Sequence, residues 1–428
     1  MRPRMNELIQ RLDDTGAAPA VASPPRPPFG ACALVGLGGL FAGVTGPLLS
    51  TFVPLLVREA IGDNRLAIGA VMAIDNVLLL ALVPISGALS DRAAARGNGR
   101  LPLVLAGFGL SALGMALFPW APPLGIVGIV TAMLVLYTGI NLQRSPVQAL
   151  VADMVPSAYR SLATGSVTFQ MCVGAIVFLM IGRGLGMQAG FLVAAVTVLA
   201  IGAAMALGLH EPRRPAGTAV EATHQAIGRV VPDVLGGRVP GLRAVFVAAC
   251  LLQLTFQTFS TWFSLHATER FPIRGEDAAI GFIAWAVGGV IGALPAGMIG
   301  VRLGRRTAIL VGFAAMAVTL LALDRVESLG ASVPLLMLAS ASWTMPSVNA
   351  YPLFVEPIPR ERRGVMAALF LLSMALGGAV GDPLNGAVFD IAGGYRPLFL
   401  LMAAYSALAA IVVLRVRPGV GEANTGPA

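Results

Sequence analysis

The chain has 428 residues, of which 57% are hydrophobic and only 12% are charged. Soluble domains carry about 25% charged residues, so this chain has too little charge to cover a water-facing surface, which argues against a soluble multidomain enzyme. Its formal net charge is +8, and all 29 basic residues are arginine. In a soluble protein that excess would favour a nucleic-acid partner. Continuous apolar runs of about 20 residues, the length of a helix that spans a bilayer, instead predict a polytopic membrane protein.

Residues 1–30 are polar and rich in proline, and we predict a disordered tail there. The first apolar run begins at residue 31 and is too long for the apolar region of a signal peptide, so we expect no cleavable signal. The apolar runs are continuous rather than alternating, which favours helices over a barrel and predicts an all-α protein. The twelve predicted spans are 31–57, 66–89, 101–120, 124–148, 161–182, 189–209, 243–266, 277–299, 307–323, 332–354, 364–389 and 397–415.

The longest connection, residues 210–242, divides the spans into an N-terminal half (31–209) and a C-terminal half (243–415), and residues 416–428 form a second predicted tail. With the N-terminus placed in the cytoplasm, 22 of the 29 arginines fall on the cytoplasmic side and 7 on the other. The positive-inside rule therefore predicts that both termini are cytoplasmic. We expect a bacterial inner membrane, or a membrane derived from it, and no nucleic-acid partner.

The two halves share short segments at nearly constant offsets. Two of the three matches are separated by 210 residues and the third by 203. Two parallel six-helix halves related by an axis along the membrane normal are a known plan of secondary transporters. The matching segments are 87–92 with 297–302, 50–51 with 260–261, and 153–160 with 356–363.

The loop from Gly87 to Arg92, followed by Gly99 and Arg100, resembles the signature loop between helices 2 and 3 of the major facilitator superfamily. Segment 297–306 resembles its copy in the second half. This resemblance covers essentially the whole chain. It implies the major facilitator fold, with twelve transmembrane helices in two pseudo-symmetric halves that alternate access to a central site.

Two stretches, 75–92 and 141–160, are similar to the glycoside–pentoside–hexuronide:cation symporters and the sucrose:proton symporters. The aspartate pair that the sugar:cation symporters carry on helix 2 falls on Leu79 and Val83 here, and their helix-4 aspartate is also missing. The resemblance therefore implies a sugar-like solute and proton coupling, and it places sodium coupling of the melibiose-permease type in doubt.

Asp75 is the clearest carboxylate inside a predicted span, and an ionisable group there is costly and usually functional. We predict that it couples protons or contacts substrate, with Asn76 assisting; the alternative is a structural acid within the N-terminal bundle. Arg144 is predicted to lie about 15 Å deeper in the membrane, so no direct ion pair with Asp75 is expected. Asp382, in span 11, is expected at the outer membrane interface rather than in the cavity.

Span 7 carries polar residues on one helical stripe, at positions 253, 257, 260, 261 and 264. Such a stripe must face other helices or water. By resemblance, helices 1, 4, 7 and 10 line the central cavity; the alternative for each single residue is helix packing. The candidate cavity-lining residues are Thr51, Asn141, Gln143, Gln253, Gln257, Thr261, Trp343 and Asn349.

Charged residues cluster in the predicted cytoplasmic loops of both halves. By resemblance, the loop acid pairs with nearby arginines when the cytoplasmic side is closed, and several such pairs between two rigid bodies form a bistable gate. The alternative is arginines that snorkel to the interface. The candidate gate residues are Asp91, Arg92, Arg100, Arg144, Asp153, Arg160, Arg302, Glu356 and Arg363.

The sequence therefore predicts a monomeric secondary active transporter that moves a small polar, sugar-like solute together with H⁺ across the lipid bilayer by alternating access. No catalytic motif, cofactor motif or metal-ligand cluster is visible, so we expect no enzyme activity, no cofactor and no metal site. The alternatives are efflux of a drug or metabolite, transport of iron or another metal in a specialised membrane such as that of the magnetosome, and a non-transporting membrane scaffold or sensor.

Overall fold

The computed structural model describes residues 29–97, 99–155, 159–209, 242–355 and 363–415. Within these ranges the chain is helical and contains no strand. The predicted tails and central connection fall outside them except at their edges. The helices are α1 (Phe29–Ile61), α2a (Arg65–Met72), α2b (Ile74–Ala95), α3 (Leu101–Leu117), α4 (Gly125–Met154), α5 (Arg160–Leu185), α6 (Met187–Gly208), α7 (Leu242–Arg270), α8 (Ala279–Leu303), α9 (Arg305–Leu323), α10 (Leu329–Val355), α11 (Arg363–Ala392) and α12 (Leu398–Leu414).

Each of the twelve predicted spans coincides with one of these helices, α2a and α2b together forming the second. Nine helices in the described part of the chain are long and apolar enough to cross a membrane. Large apolar side chains also cover the outside of the bundle, for example Val127, Val196 and Leu207 at 72%, 68% and 82% exposure. Because contact of such a surface with water costs about 25 cal/mol per Å², the exposed apolar belt fits a bilayer.

Two helices differ from their predicted course. The second span is divided at Ala73 into α2a and α2b, although the Ala73 and Val77 amides still bond four residues back, at 3.0 and 3.1 Å, so the helical hydrogen bonding continues. The fourth helix runs through Pro146 to Met154, past its predicted end at residue 148. Arg144 therefore lies inside a helix rather than at its end.

The two halves repeat the same helix partnerships. In the N-terminal half, α1 packs on α5 and α6, and α4 packs on α2b and α3. In the C-terminal half, α7 packs on α11 and α12, and α10 packs on α8 and α9. Adding six to each helix number converts one set into the other. The predicted pseudo-symmetry of the halves is confirmed.

Contacts between the halves follow the same rule. When six is added to each helix number, counting on from α12 to α1, the α2–α11 contact becomes the α5–α8 contact and the reverse. The α1–α7 contact is its own equivalent. At this self-equivalent contact the hydroxyls of Ser50 and Ser260 lie 2.7 Å apart, and Arg58 donates to Thr268 at 3.5 Å. Both pairs are separated by 210 residues, the offset of the repeat. Equivalent residues meet in this way only where a two-fold axis passes close by.

We name the two faces of the bundle by their arginine content. The Arg-rich face is the end at which α1 begins, and the Arg-poor face is the opposite end, where α1 ends and α2a begins. The described hydrogen bonds and ion pairs that join the halves lie from mid-bundle to the Arg-poor face.

Candidate functional site

Asp75, the second residue of α2b, is half-buried beside α4. The side chain of Asn141 hydrogen-bonds its carboxylate, and the Arg144 guanidinium lies within range of its charge. No direct ion pair between Asp75 and Arg144 is found among the described contacts, but the Arg144 charge acts on the Asp75 carboxyl group.

Asp382 lies on α11 and is fully buried, so the expectation that it faces the outer membrane interface is wrong. Gln257 of α7 donates from Nε2 to its Oδ2 at 3.0 Å, and Thr261 lies beside the same carboxyl group. The other oxygen, Oδ1, has no partner among the described residues. Position along a helix gives depth but not direction, which is why the sequence placed this acid wrongly.

Glycines at the α2–α11 contact bring the two acids together. A Cβ at Gly69 would collide with the Asp382 carbonyl, and a Cβ at Gly378 would collide with the Asn76 side chain. This close approach leaves Asp75 and Asp382 near enough for their charges to interact. Tyr137 of α4 is within electrostatic range of both. We call Asp75 and Asp382 the acid pair; one member comes from each half.

Beside the acid pair, α7 presents a half-buried side with amides and an aromatic ring, which we call the polar wall or C-terminal wall. Gln253, Phe256 and Gln257 are half-buried on one side of this helix. Trp343 of α10, also half-buried, stacks on Phe256 with ring centroids 5.1 Å apart. Of the residues predicted to line the cavity, Gln253, Gln257 and Trp343 are half-buried, whereas Thr261 is buried and accepts a hydrogen bond from Gln257 at 3.2 Å.

The equivalent side of α1, in the N-terminal half, carries smaller residues. The positions on α1 that are equivalent to Phe256 and Gln257 are Gly46 and Pro47, 210 residues earlier. Nothing lies within 4 Å of a Cβ built on Gly46, which sits one turn from Ser50 on the face that meets α7. The equivalent sides of the two helices therefore differ, with an amide and an aromatic ring on α7 and small residues on α1.

Four other predicted site residues lie between helices. Gln143 packs against Gly107 of α3 rather than facing the central space. Asn349 donates to the Ala296 carbonyl of α8 at 3.1 Å. Asn76 is buried at the α2–α11 contact, and Thr51 is fully buried with no partner for its hydroxyl among the described residues.

At the Arg-poor face, the contact between α2a and α11 is a helix cap. Asp390, near the end of α11, accepts from the backbone amides of Arg65 and Leu66 at 3.0 and 2.9 Å. A carboxylate at a helix N-terminus satisfies free N–H groups and complements the helix dipole. Arg65 also lies over the Tyr395 ring, 4.9 Å from its centroid. Burial raises the pKa of Tyr395 to about 12, so its ring stays neutral beneath the cation.

The pseudo-equivalent contact between α5 and α8 is a surface ion pair. Arg183, at the end of α5, donates from Nε to Asp277, just before α8, at 3.0 Å. Arg274 approaches the same carboxylate at 3.6 Å. These two contacts, the Asp390 cap and the Arg183–Asp277 pair, join the halves at the Arg-poor face. The sequence analysis did not predict either contact. The signal that could have indicated them is the presence of acids and arginines at the outer ends of equivalent spans.

A model of the Major Facilitator Superfamily matches residues 35–288 and 245–428. The chain belongs to the Major Facilitator Superfamily. Like other transporters of this superfamily, it is a multi-pass membrane protein that acts on a small-molecule substrate, rather than an enzyme. No curated protein matches it significantly.

Solved structures support the fold over nearly the full chain. A bacterial homologue of the human lysosomal transporter Spinster, in an inward-facing and occupied conformation, is similar with a TM-score of 0.70, 12% identity and coverage of 93% of this chain and 98% of that one. The nucleoside transporter NupG is similar with a TM-score of 0.68, 14% identity and coverage of 90% and 98%. A D-xylose-proton symporter is similar with a TM-score of 0.71, 16% identity and coverage of 92% and 98%.

The superfamily signature loop lies at the Arg-rich face. There Arg100 pairs with Asp91 and donates to Ser90 at 2.9 Å, so this part of the predicted gate is a contact within one half. Arg92, Arg144 and Arg302 are exposed. The side chains of the remaining predicted gate residues lie outside the described part of the structure; these are Asp153, Arg160, Glu356 and Arg363.

Proposed function

We propose that this transporter moves a small polar, sugar-like solute by alternating access and couples the movement to protons. The observation that carries the proposal is the position of the acid pair. It lies between two pseudo-symmetric halves, beside a polar wall, and below contacts at the Arg-poor face. A charged site between two halves that can rock is the arrangement that alternating access requires.

The polar wall on α7 supports a hydroxylated solute. Gln253 offers an amide donor and an amide acceptor, Gln257 offers its acceptor because its Nε2 donates to Asp382 and Thr261, and both side chains are half-buried. Amides of this kind can bond the hydroxyl groups of a sugar or a ribose. The D-xylose-proton symporter and the nucleoside transporter NupG share the fold, and the α2 and α4 segments resemble sugar symporters.

Asp75 is the group we propose for proton coupling. It is half-buried, and its partners, Asn141 and Arg144, come from the same half. A carboxyl group at this position can exchange protons with the central space while the halves move. The arginine distribution further supports a cytoplasmic Arg-rich face in a bacterial inner membrane.

A second candidate function is efflux of a drug or metabolite with an aromatic or apolar part. The observation that favours it is the pair of half-buried aromatic rings on the C-terminal wall. Trp343 stacks on Phe256 with ring centroids 5.1 Å apart. Aromatic faces bind flat apolar groups and cations as well as sugar rings.

Uptake into proteoliposomes tests the proposal. Purified protein is reconstituted and supplied with radiolabelled D-xylose, a nucleoside, a disaccharide, a cationic dye and an iron chelate, with and without a pH gradient. We expect a sugar or nucleoside to accumulate only with the gradient. In Asp75→Asn we expect gradient-driven accumulation to fall at least tenfold, while exchange of the same solute across the membrane continues.

The matched control is Asp63→Asn, which removes an exposed acid from the loop before α2a. It should transport like the unmodified protein. Gradient-driven accumulation in Asp75→Asn equal to that of the unmodified protein would contradict the coupling role. Movement of the dye alone would favour the efflux function instead.

A further inference from the structure

Asp382 is the most deeply enclosed acid in the described part of the chain, with 0% of its surface exposed. An ionised carboxylate in such a place must be offset by a cation or by several hydrogen bonds, since burial of a bare charge costs several kcal/mol or more. The groups against Asp382 are Gln257, Thr261 and Trp262 from α7, all of them neutral. The nearest charge, from α2, is that of Asp75 and has the same sign.

The hydrogen bonding of Asp382 is also incomplete for a carboxylate. Oδ2 accepts from Gln257 at 3.0 Å, but Oδ1 has no partner among the described residues. A carboxylate offers about four lone-pair sites, whereas a protonated acid needs fewer donors and carries no charge. The surroundings of Asp382 therefore suit the neutral acid.

The other member of the acid pair has a different environment. Asp75 is half-buried, Asn141 bonds its carboxylate, and the Arg144 cation lies within range. Tyr137, the remaining titratable group near both acids, is neutral at ordinary pH. Because the charges of the two carboxyl groups interact, they titrate as a coupled pair, and the proton resides on the member with the poorer support for charge. That member is Asp382.

We propose that the acid pair holds one proton between the two halves, that Asp382 carries it while the Arg-poor face is closed, and that Asp382 is thus a second proton-coupling residue. Transfer of the proton from an Asp382 oxygen to the Asp75 carboxylate turns acid into carboxylate and carboxylate into acid. The total charge of the pair stays at −1. This inference rests on the proposed transport function, because only a transporter would use the proton for coupling. The experiment that tests it needs no transport.

The proposal links proton binding to the movement of the halves. The α2–α11 contact that encloses Asp382 also carries the Asp390 cap, so the Asp382 site opens when that contact opens. Separation of α2 from α11 moves the two acids apart and admits water to Asp382. The proton can then exchange with the compartment at the Arg-poor face.

Infrared spectroscopy of the reconstituted full-length protein tests the proposal without any solute. A protonated carboxylic acid has a C=O stretching band that a carboxylate lacks. At neutral pH we expect this band in the unmodified protein and in Asp75→Asn, and its loss in Asp382→Asn. The control Asp63→Asn should leave it unchanged. Gln257→Leu should keep the band but shift it to higher frequency, since the Asp382 carboxyl loses a hydrogen bond.

Absence of the band from the unmodified protein, or its persistence in folded Asp382→Asn, would overturn the proposal. So would its loss in Asp75→Asn. If Asp382→Asn does not fold, the frequency shift in Gln257→Leu decides, and an unshifted band counts against the proposal. Because these readings need no solute, failure of the uptake experiment leaves them intact, and failure here leaves uptake through Asp75 intact.

Discussion

At the α2–α11 contact an acid from α11 meets the start of α2a, whereas at the α5–α8 contact an arginine from α5 meets an acid just before α8. The two contacts occupy equivalent places in the two halves, yet the charges are reversed. Asp390 binds two backbone amides, and Arg65 shares the site with only 13% of its side chain exposed. Arg183 reaches Asp277 with 46% of its side chain exposed.

The comparison shows that the repeat preserves helix packing but not the chemistry at the helix ends. A cap made to two backbone amides does not depend on the side chains of α2a, and it satisfies two N–H groups that the helix itself leaves free. An exposed ion pair is worth only about 0–1 kcal/mol and is screened by salt. We therefore expect the Asp390 cap to contribute more to closure of the Arg-poor face than the Arg183–Asp277 pair.

The largest expected effect comes from locking the axis that both contacts flank. Ser50→Cys with Ser260→Cys places two thiols where hydroxyls lie 2.7 Å apart. The native Cys32, Cys172 and Cys250 are first replaced by alanine. Because a disulfide there holds the halves together, oxidation should abolish transport of the solute that the unmodified protein moves, and reduction should restore it.

Each single cysteine variant serves as the control for this cross-link and should be insensitive to oxidant. Full transport by the oxidised double variant, with the cross-link verified by mass spectrometry, would show that the α1–α7 contact does not separate during transport.

The next effect is the loss of the cap. Asp390→Ala removes both bonds to the α2a amides, and loss of a helix cap costs about 1–2 kcal/mol. The Arg-poor face should then open about tenfold more often, since 1.4 kcal/mol corresponds to a factor of ten. The measurement is the alkylation rate of a single cysteine at Ser50→Cys by a membrane-impermeant maleimide added at the Arg-poor face. Asp390→Asn, which keeps the acceptor oxygen, should give a smaller increase, and equal rates in all three proteins would refute the role of the cap.

The smallest effect belongs to the surface ion pair. Arg183→Ala, read with the same Ser50→Cys reporter, should raise the alkylation rate about two- to fivefold in low salt. The difference should shrink at high ionic strength. Exchange of the charges in Arg183→Asp with Asp277→Arg should restore the slow rate. An Arg183→Ala effect larger than that of Asp390→Ala would reverse our ranking of the two contacts.

Much of the architecture could be predicted because lipid leaves the backbone few choices. A continuous apolar run must form a helix in a bilayer, where no water can bond the free peptide groups. The spans, the halves and the 210-residue offset follow from that rule, and the Ser50–Ser260 contact places the offset on the pseudo-symmetry axis. Asp75 could be predicted as a candidate site residue for a related reason, because a charged residue inside an apolar run is costly in lipid and easily recognised.

The candidate site could be predicted only in part. Gln143 and Asn349 carry polar amide side chains, as residues that line a polar cavity often do, but they bond or pack within their own halves. Asp390 and Leu66 are 324 residues apart, and nothing local marks them as partners. The predicted gate lies at the Arg-rich face, whereas the described bonds between the halves lie from mid-bundle to the Arg-poor face.

The sequence by itself determined which segments cross the membrane, how they divide into two halves and which family they belong to, since burial of apolar surface and satisfaction of the backbone act along each segment separately. The tertiary structure alone decided that Asp382 lies within electrostatic range of Asp75 and that Asp390 caps α2a. Those facts depend on how each helix is rotated about its axis and how closely its glycines let it approach a neighbour, and hydropathy along the chain records neither.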